Sequence, residues 1–164
     1  MIKTYAQQFL DGQGNVINDP TWLPLRCEKL ITFAGGTTNA WGDDGGTLDG
    51  GAVFTVTGTV RVRVFGVVET DLVGAVSIEL GVTGSTAALI AQCADATGMD
   101  VGEIWHDAAV DAKVEAATVA PEKIIGNGMD MILTVGGNIT AGAIRFFVAW
   151  MPISEDGMVT ASNN

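Results

Sequence analysis

The sequence predicts an all-β protein: a jelly-roll or Greek-key β-sandwich with an extended N-terminal arm. The run from Val60 to Val64 alternates valine with arginine, and the run from Val76 to Leu80 alternates aliphatic with polar residues. A period of two built from β-branched residues is typical of strands with one buried and one solvated face. The chain also contains 22 glycines without a repeat, which suits many tight turns between short strands.

The expected strands follow one another at short spacing. In chain order they cover residues 28–34, 52–58, 59–69, 74–82, 86–92, 103–106, 112–115, 123–125, 129–135 and 143–150. Residues 86–92 also contain helix formers, but the all-β context favours a strand. The polar break at 69–71 suits a hairpin or a longer β–β loop, and Asn138 with its neighbouring glycines suits a second hairpin between 129–135 and 143–150. This spacing fits two packed sheets.

One domain is expected, with an N-terminal arm over 1–27, a body over 28–154 and a polar tail over 155–164. The arm carries a turn signal at 11–15 and two prolines, which predict an extended segment with a small hairpin. Its apolar residues Phe9, Trp22 and Leu25 either cap the sandwich of their own subunit or grip a neighbouring subunit. The polar tail is expected to fray.

The charge balance argues against nucleic acid as a partner. The formal net charge is −11, from 19 acidic and 8 basic residues, whereas phosphate contacts need clustered cations. Arg61 and Arg63 form the one close basic pair, expected on a solvated or ion-paired strand face. No apolar run approaches the roughly 20 residues of a membrane-spanning helix, and the N-terminus resembles no secretory signal. These features predict a soluble protein made in a bacterial cytoplasm, without a membrane partner.

The single histidine, His106, is the strongest candidate for acid–base chemistry, with Asp107 next to it and Asp111 nearby. Adjacent residues of a strand point to opposite faces, so His106 and Asp107 are not expected to converge without a bulge. A surface or hydrogen-bonded histidine is therefore favoured over a catalytic one, and no catalytic residue is predicted.

Neither a cofactor nor a metal is predicted. Asp43, Asp44 and Asp49 lie in a glycine-rich loop and offer oxygen ligands suited to calcium. Their order matches no established calcium loop, so ordinary use in turns is favoured. Cys27 and Cys93 could pair, but no motif indicates it, and buried free thiols are the favoured interpretation.

The tryptophans divide by context. Trp150 closes the most apolar predicted strand and is expected in the core, whereas Trp41 lies in the glycine-rich loop and is expected to be the most exposed. Leu48 lies in the same loop.

The order of several segments resembles the small virion proteins of tailed bacteriophages that sit on or beside the capsid. After an arm containing prolines, these segments are 56–67 (VTGTVRVRVFGV), 71–75 (DLVGA), 78–82 (IELGV), 88–92 (ALIAQ), 102–105 (GEIW) and 144–154 (IRFFVAWMPIS). The resemblance covers roughly residues 28–154 and concerns segment order rather than a catalytic motif. It implies a β-fold, often a jelly roll, that assembles as a trimer at local three-fold positions and braces the shell.

The resemblance implies a non-enzymatic decoration, or cement, protein on the capsid exterior. Its partners would be the major capsid protein and two further copies of itself. The arm and the glycine-rich loop are the expected contacts, carried by Phe9, Trp22, Leu25, Trp41 and Leu48.

Two other functions stay open at this stage. A head-fibre or receptor-binding knob would recognise host surface glycans in a shallow groove lined by Trp41 and Trp105. A cupin-like or β-barrel enzyme would depend on His106 and Asp107 alone.

Overall fold

The computed structural model describes the backbone of residues 9–10 and 16–17, and all of residues 25–37 and 39–164. Within these ranges the chain forms twelve β-strands and one short 3-10 helix, Ala96–Gly98. The strands are β1 (Phe9–Leu10), β2 (Val16–Ile17), β3 (Leu25–Thr32), β4 (Gly51–Thr57), β5 (Val60–Val73), β6 (Ile78–Val82), β7 (Ser85–Cys93), β8 (Ile104–Trp105), β9 (Lys123–Ile125), β10 (Met131–Val135), β11 (Ala141–Pro152) and β12 (Met158–Ala161). No helix in these ranges is long and apolar enough to cross a bilayer.

Two antiparallel sheets make up the body, and the predicted all-β sandwich is confirmed. Sheet I has the strand order β12-β4-β10-β6-β7, and sheet II has the order β3-β11-β5-β8, with β9 also paired to β5. From β3 onward every connection changes sheet, except β6–β7 and β8–β9. The strands β1 and β2 form a separate two-stranded sheet, as expected for the small hairpin of the arm.

The predicted alternation along β5 is confirmed. Val60, Val62 and Val64 are buried between the sheets, whereas Arg61 and Arg63 point to the outer face of sheet II. The long strand β11 lies beside β5 from Pro152 to Ala141 and alternates in the same way. These two strands therefore define both an apolar inner face and a mixed outer face.

Aromatic residues meet at the centre of the core across a glycine. Phe146, Gly66 and Trp105 occupy one row across β11, β5 and β8. Because Gly66 has no side chain, the rings of Phe146 and Trp105 contact each other over it, with centroids 5.8 Å apart in an edge-to-face arrangement. Both residues are fully buried, and Trp150, in the same sheet, is buried as predicted.

Neither of the two predicted hairpins forms. The strand β5 continues through Glu69, Thr70 and Asp71, because their side chains face solvent and β11 supplies pairing partners for the backbone. Glu69 also accepts a hydrogen bond from Arg145 of β11. The strands β10 and β11 do not pair, because the chain crosses from sheet I to sheet II at Ile139, which is fully buried.

The C-terminal prediction was wrong as well. Residues 158–161 form β12, which pairs with β4, and Val159 is buried in the core. Residues 158–161 of the tail thus cover an edge of sheet I instead of fraying, because Val159 faces the core while its neighbours Met158 and Thr160 are exposed. The expected strand at 112–115 is absent from this described stretch, and β3 begins at Leu25, so it includes the last three residues of the expected arm.

Candidate functional site

A concavity lies on the outer face of sheet II and is called here the sheet II pocket. Its volume is about 630 Å³, within the range of pockets that hold small ligands or side-chain anchors. Strands β3, β5, β8 and β11 form its floor, and residues 115–120 form one wall. The residues lining it are Arg26, Cys27, Glu28, Arg63, Phe65, Ile104, His106, Glu115, Ala116, Ala117, Val119, Ala120, Phe147, Val148 and Ala149.

Strand register places two rows of side chains on the pocket floor. One row runs from Glu28 through Phe147 to Phe65, and the next row runs from Arg26 through Ala149 to Arg63. Phe65 and Phe147 stack with their ring centroids 5.4 Å apart and their planes at 24°. The floor therefore combines an aromatic centre with an arginine on either side of a small alanine.

The wall is held to the sheet by hydrogen bonds and ion pairs. Arg63 Nη1 donates to the carbonyl of Ala117 at 3.1 Å, and Ile104 N donates to the carbonyl of Ala112 at 2.9 Å. Glu122 lies 3.6 Å from Arg61 Nε and 3.7 Å from Arg63 Nη2. The expected ion-paired arginine face on β5 is thus present.

His106 lines the pocket, and its neighbour Asp107 lies closer to it than the sequence predicted. Its Nε2 is 3.3 Å from Glu115 Oε1, and its Nδ1 is 3.6 Å from Asp107 Oδ2. The predicted divergence of His106 and Asp107 was wrong because β8 ends at Trp105, so the two residues leave strand geometry. Asp111 is not among the carboxylates within 4 Å of the imidazole in the described chain. The histidine links the wall residue Glu115 to the end of β8.

All four arginines of this acidic chain lie on the outer face of sheet II. Arg145 donates to Glu69 at 2.5 Å and to Glu28 at 3.2 Å, and the hydrogen bond to Glu69 is the main cause of its raised pKa. Arg61 and Arg63 share Glu122. Among the described residues, Arg26 alone of the four has no carboxylate within 4 Å. It is exposed at the pocket rim, where it can receive an external anion.

The expected exposure of Trp41 was wrong. Its side chain is 7% exposed, because the glycine-rich loop folds inward and the backbone of Trp41 pairs with that of Phe33 in an isolated β-bridge. The Lys29 ammonium lies 5.4 Å from the Trp41 ring centroid. That ammonium also donates to the carbonyls of Ser162 and Asn164, and burial lowers the pKa of Lys29. Trp41 thus joins the loop, β3 and the C-terminus.

The other predicted contact residues have different outcomes. Leu25 and Leu48 are half-buried and pack against the core. Phe9 lies on β1, but its side chain is outside the described residues, and so is all of Trp22. Trp105 is fully buried, so a glycan groove lined by Trp41 and Trp105 does not exist.

The aspartates of the glycine-rich loop serve its turns. Asp43 Oδ1 accepts a hydrogen bond from Gly36 N at 3.0 Å, and the Asp49 carboxylate accepts from the backbone N–H groups of Gly45 and Val135, both at 3.1 Å. The backbone N–H of Asp44 donates to Asn138. No group of three or more His, Cys, Asp or Glu in the described ranges is arranged to hold a metal ion.

Both cysteines are free, and we expect their thiols to react slowly. Burial raises the pKa of the Cys27 thiol, which lowers its thiolate fraction, and Cys93 is buried with Sγ 3.4 Å from the Asp95 carbonyl. Alkylation by iodoacetamide at pH 8 should be at least about tenfold slower in the native protein than in urea. A Cys27→Ser variant isolates the rate of Cys93. Equal native and unfolded rates would contradict the described burial.

Sequence reasoning missed the aromatic floor of the pocket. The signal was the two-residue period of the strands. Phe65 lies on the same face of its strand as Arg61 and Arg63, and Phe147 lies on the same face of its strand as Arg145. An aromatic residue at an outward position on each of two strong strands indicates a partly apolar outer face. The strand pairing that joins Phe65 to Phe147 could not be read from the sequence.

Comparison with known proteins adds no relative. No protein-family model, curated protein or solved structure matches the chain.

Proposed function

We propose that this chain is a non-enzymatic decoration protein of a bacteriophage virion. It binds the major capsid protein on the capsid exterior, assembles as a trimer and stabilises the shell. The observation that carries the proposal is the separate β1–β2 hairpin, which within the described residues pairs with neither sheet of the body. An isolated two-stranded hairpin is at best marginally stable in water, so this one gains from packing against another surface.

The strand order gives further support. A jelly roll has two four-stranded antiparallel sheets connected as Greek keys. The orders β3-β11-β5-β8 and β4-β10-β6-β7 fit that arrangement, with β12 as an additional edge strand. This is the fold expected of the virion proteins that the sequence resembles.

Charge is compatible with a capsid partner. The formal net charge of −11 favours docking on a basic protein surface and disfavours nucleic acid. The proposed contacts with the capsid protein or with neighbouring subunits are Phe9 and Trp22 of the arm, with the half-buried Leu25 and Leu48. Trp41 is not among them, because its side chain is in the core.

Deleting residues 2–24 tests the proposal. The sandwich elements begin at Leu25, so the shortened protein should fold, but its occupancy on cognate expanded empty shells should fall at least about tenfold, as loss of an interface anchor predicts. Co-sedimentation measures occupancy, and circular dichroism checks the fold. A variant with residues 2–24 scrambled keeps length and charge and should also fail to bind. Full occupancy by the truncated protein would refute the role of the arm.

The alternative of a glycan-binding knob keeps one supporting observation. The stacked Phe65 and Phe147 offer an apolar platform to a sugar, with Arg26 and Glu28 as polar partners at the rim. A glycan array distinguishes the two functions. Saturable glycan binding that Phe147→Ala removes, together with no shell binding, would favour the knob.

A further inference from the structure

We infer that the sheet II pocket receives residues 19–23 of a second copy of this chain, with Trp22 on the Phe65–Phe147 floor and Asp19 beside Arg26. This inference rests on the self-association in the proposed function and names the surface that carries it. The occupant would be an acidic, aromatic segment of the arm.

The position of the arm is the first argument. Twenty-four residues precede Leu25, the first residue of β3. Arg26, the next residue, lines the pocket, and so does Glu28. Extended chain spans roughly 3.3 Å per residue, so the arm is long enough to reach a neighbour.

The chemistry of the segment matches the pocket. Residues 19–23 read DPTWL, with a carboxylate three residues before an indole. The floor offers stacked aromatic rings for the indole, and Ala149 leaves room beside them. Arg26 supplies a guanidinium that no described carboxylate occupies, and arginine pairs well with carboxylates. Pro20 and Pro24 restrict the segment and reduce the entropy lost on binding.

Charge complementarity singles out this face. The chain carries 19 acidic residues against 8 basic ones, yet every arginine lies on the outer face of sheet II. Arg61, Arg63 and Arg145 are already paired with carboxylates of this face, so the guanidinium of Arg26 is the one that attracts an acidic segment of another copy. The apolar floor then favours a segment that carries an aromatic side chain over a simple anion.

The direction of the chain favours binding of the arm to the pocket of a second copy over binding to the pocket of its own chain. The Phe65–Phe147 stack lies in the row of Glu28, three residues along β3 from Leu25. In the sequence Leu23 precedes a proline, a position that favours extended backbone. Six residues separate Trp22 from Glu28, and six residues of extended chain would span about 20 Å. A neighbouring copy can present the same segment without reversing it.

Two substitutions in the full-length protein, each with a matched control, test the inference. Trp22→Ala should raise the dissociation constant of the oligomer at least about 30-fold, as for an interface tryptophan, whereas Trp22→Phe should have a small effect. Ala149→Trp fills the pocket and should weaken assembly similarly. Ala91→Trp places the same residue at an exposed alanine of sheet I and should not. Light scattering over a dilution series measures the mass.

Mixing the two defective proteins tests whether the arm of one copy binds the pocket of another copy. Trp22→Ala keeps an intact pocket and Ala149→Trp keeps an intact arm, so a mixture should form heterodimers although each alone is monomeric. A mixture that stays monomeric would overturn the inference, and so would a wild-type protein that is monomeric at all concentrations. If Ala149→Trp lowers the melting temperature, Arg26→Glu replaces it, since Arg26 is exposed.

Shell co-sedimentation of the same proteins separates this inference from the proposed function. Unchanged mass of both variants together with full shell binding by the wild type would overturn the pocket inference alone. Assembly that follows the predictions, without shell binding by any form, would overturn the decoration function and leave the pocket inference supported.

Discussion

Replacing Phe146 by alanine is expected to lower the free energy of unfolding by about 3–5 kcal/mol. Phe146 is fully buried, and its ring contacts Trp105 edge to face across Gly66. Truncation would remove apolar burial and leave a cavity that the paired strands of sheet II cannot close without shifting register. Urea denaturation followed by circular dichroism measures the loss, at one protein concentration because assembly also stabilises the fold.

The neighbouring residue provides the control. Phe147 carries the same ring one position further along β11, on the outer face, where it is half-buried and stacks on Phe65. Phe147→Ala should cost only about 1–2 kcal/mol, from lost stacking and partial burial. Equal losses at the two positions would contradict the described alternation of β11.

Gly35→Ala is expected to destabilise the protein by about 3 kcal/mol or more, because the added methyl group has no space. A Cβ at Gly35 would lie 2.1 Å from the Gly42 carbonyl oxygen and 2.6 Å from the Ile139 carbonyl oxygen. Gly42 follows Trp41 in the glycine-rich loop, and Ile139 lies in the β10–β11 connection that is hydrogen-bonded to this loop. Both oxygens belong to the backbone, so they cannot rotate away. Thermal unfolding and the near-ultraviolet signal of the tryptophans report the effect.

Gly45→Ala is the matched control in the same loop. Gly45 has a φ of 67° but nothing within 4 Å of an added Cβ. Its substitution carries only the conformational cost of a left-handed residue, about 1 kcal/mol. A Gly35→Ala protein as stable as Gly45→Ala would show that the loop does not close as described.

The sequence predicted strands well where the alternation was strong, but it predicted the connections between strands poorly. Val60 to Val64 identified β5 because a two-residue period has no helical equivalent. The polar residues 69–71 resembled a turn. Polar side chains do not end a strand, however, when they face solvent and a long neighbouring strand such as β11 still pairs with its backbone. Turn chemistry at Asn138 was also misleading, because a glycine-rich turn can lead to the other sheet as readily as to a hairpin.

The site was less predictable than the fold for a physical reason. His106, Arg63 and Phe65 belong to a pocket only because β3, β5, β8 and β11 are adjacent, and strand order is a property of the whole chain. Trp41 was misjudged because composition marks a glycine-rich loop as exposed, whereas the loop's backbone carbonyls pack closely enough to bury a large ring.

The alternation of the chain between sheets has a consequence for synthesis. Among the described residues β3, the first strand of the sandwich, pairs only with β11, and β4 lies between β10 and β12. Neither early strand can complete its hydrogen bonds until its partners β10, β11 and β12, which begin at Met131, have left the ribosome. The nascent chain thus carries unpaired β-branched strands through most of translation, which favours dependence on chaperones and slow, late folding rather than stepwise folding from the N-terminus.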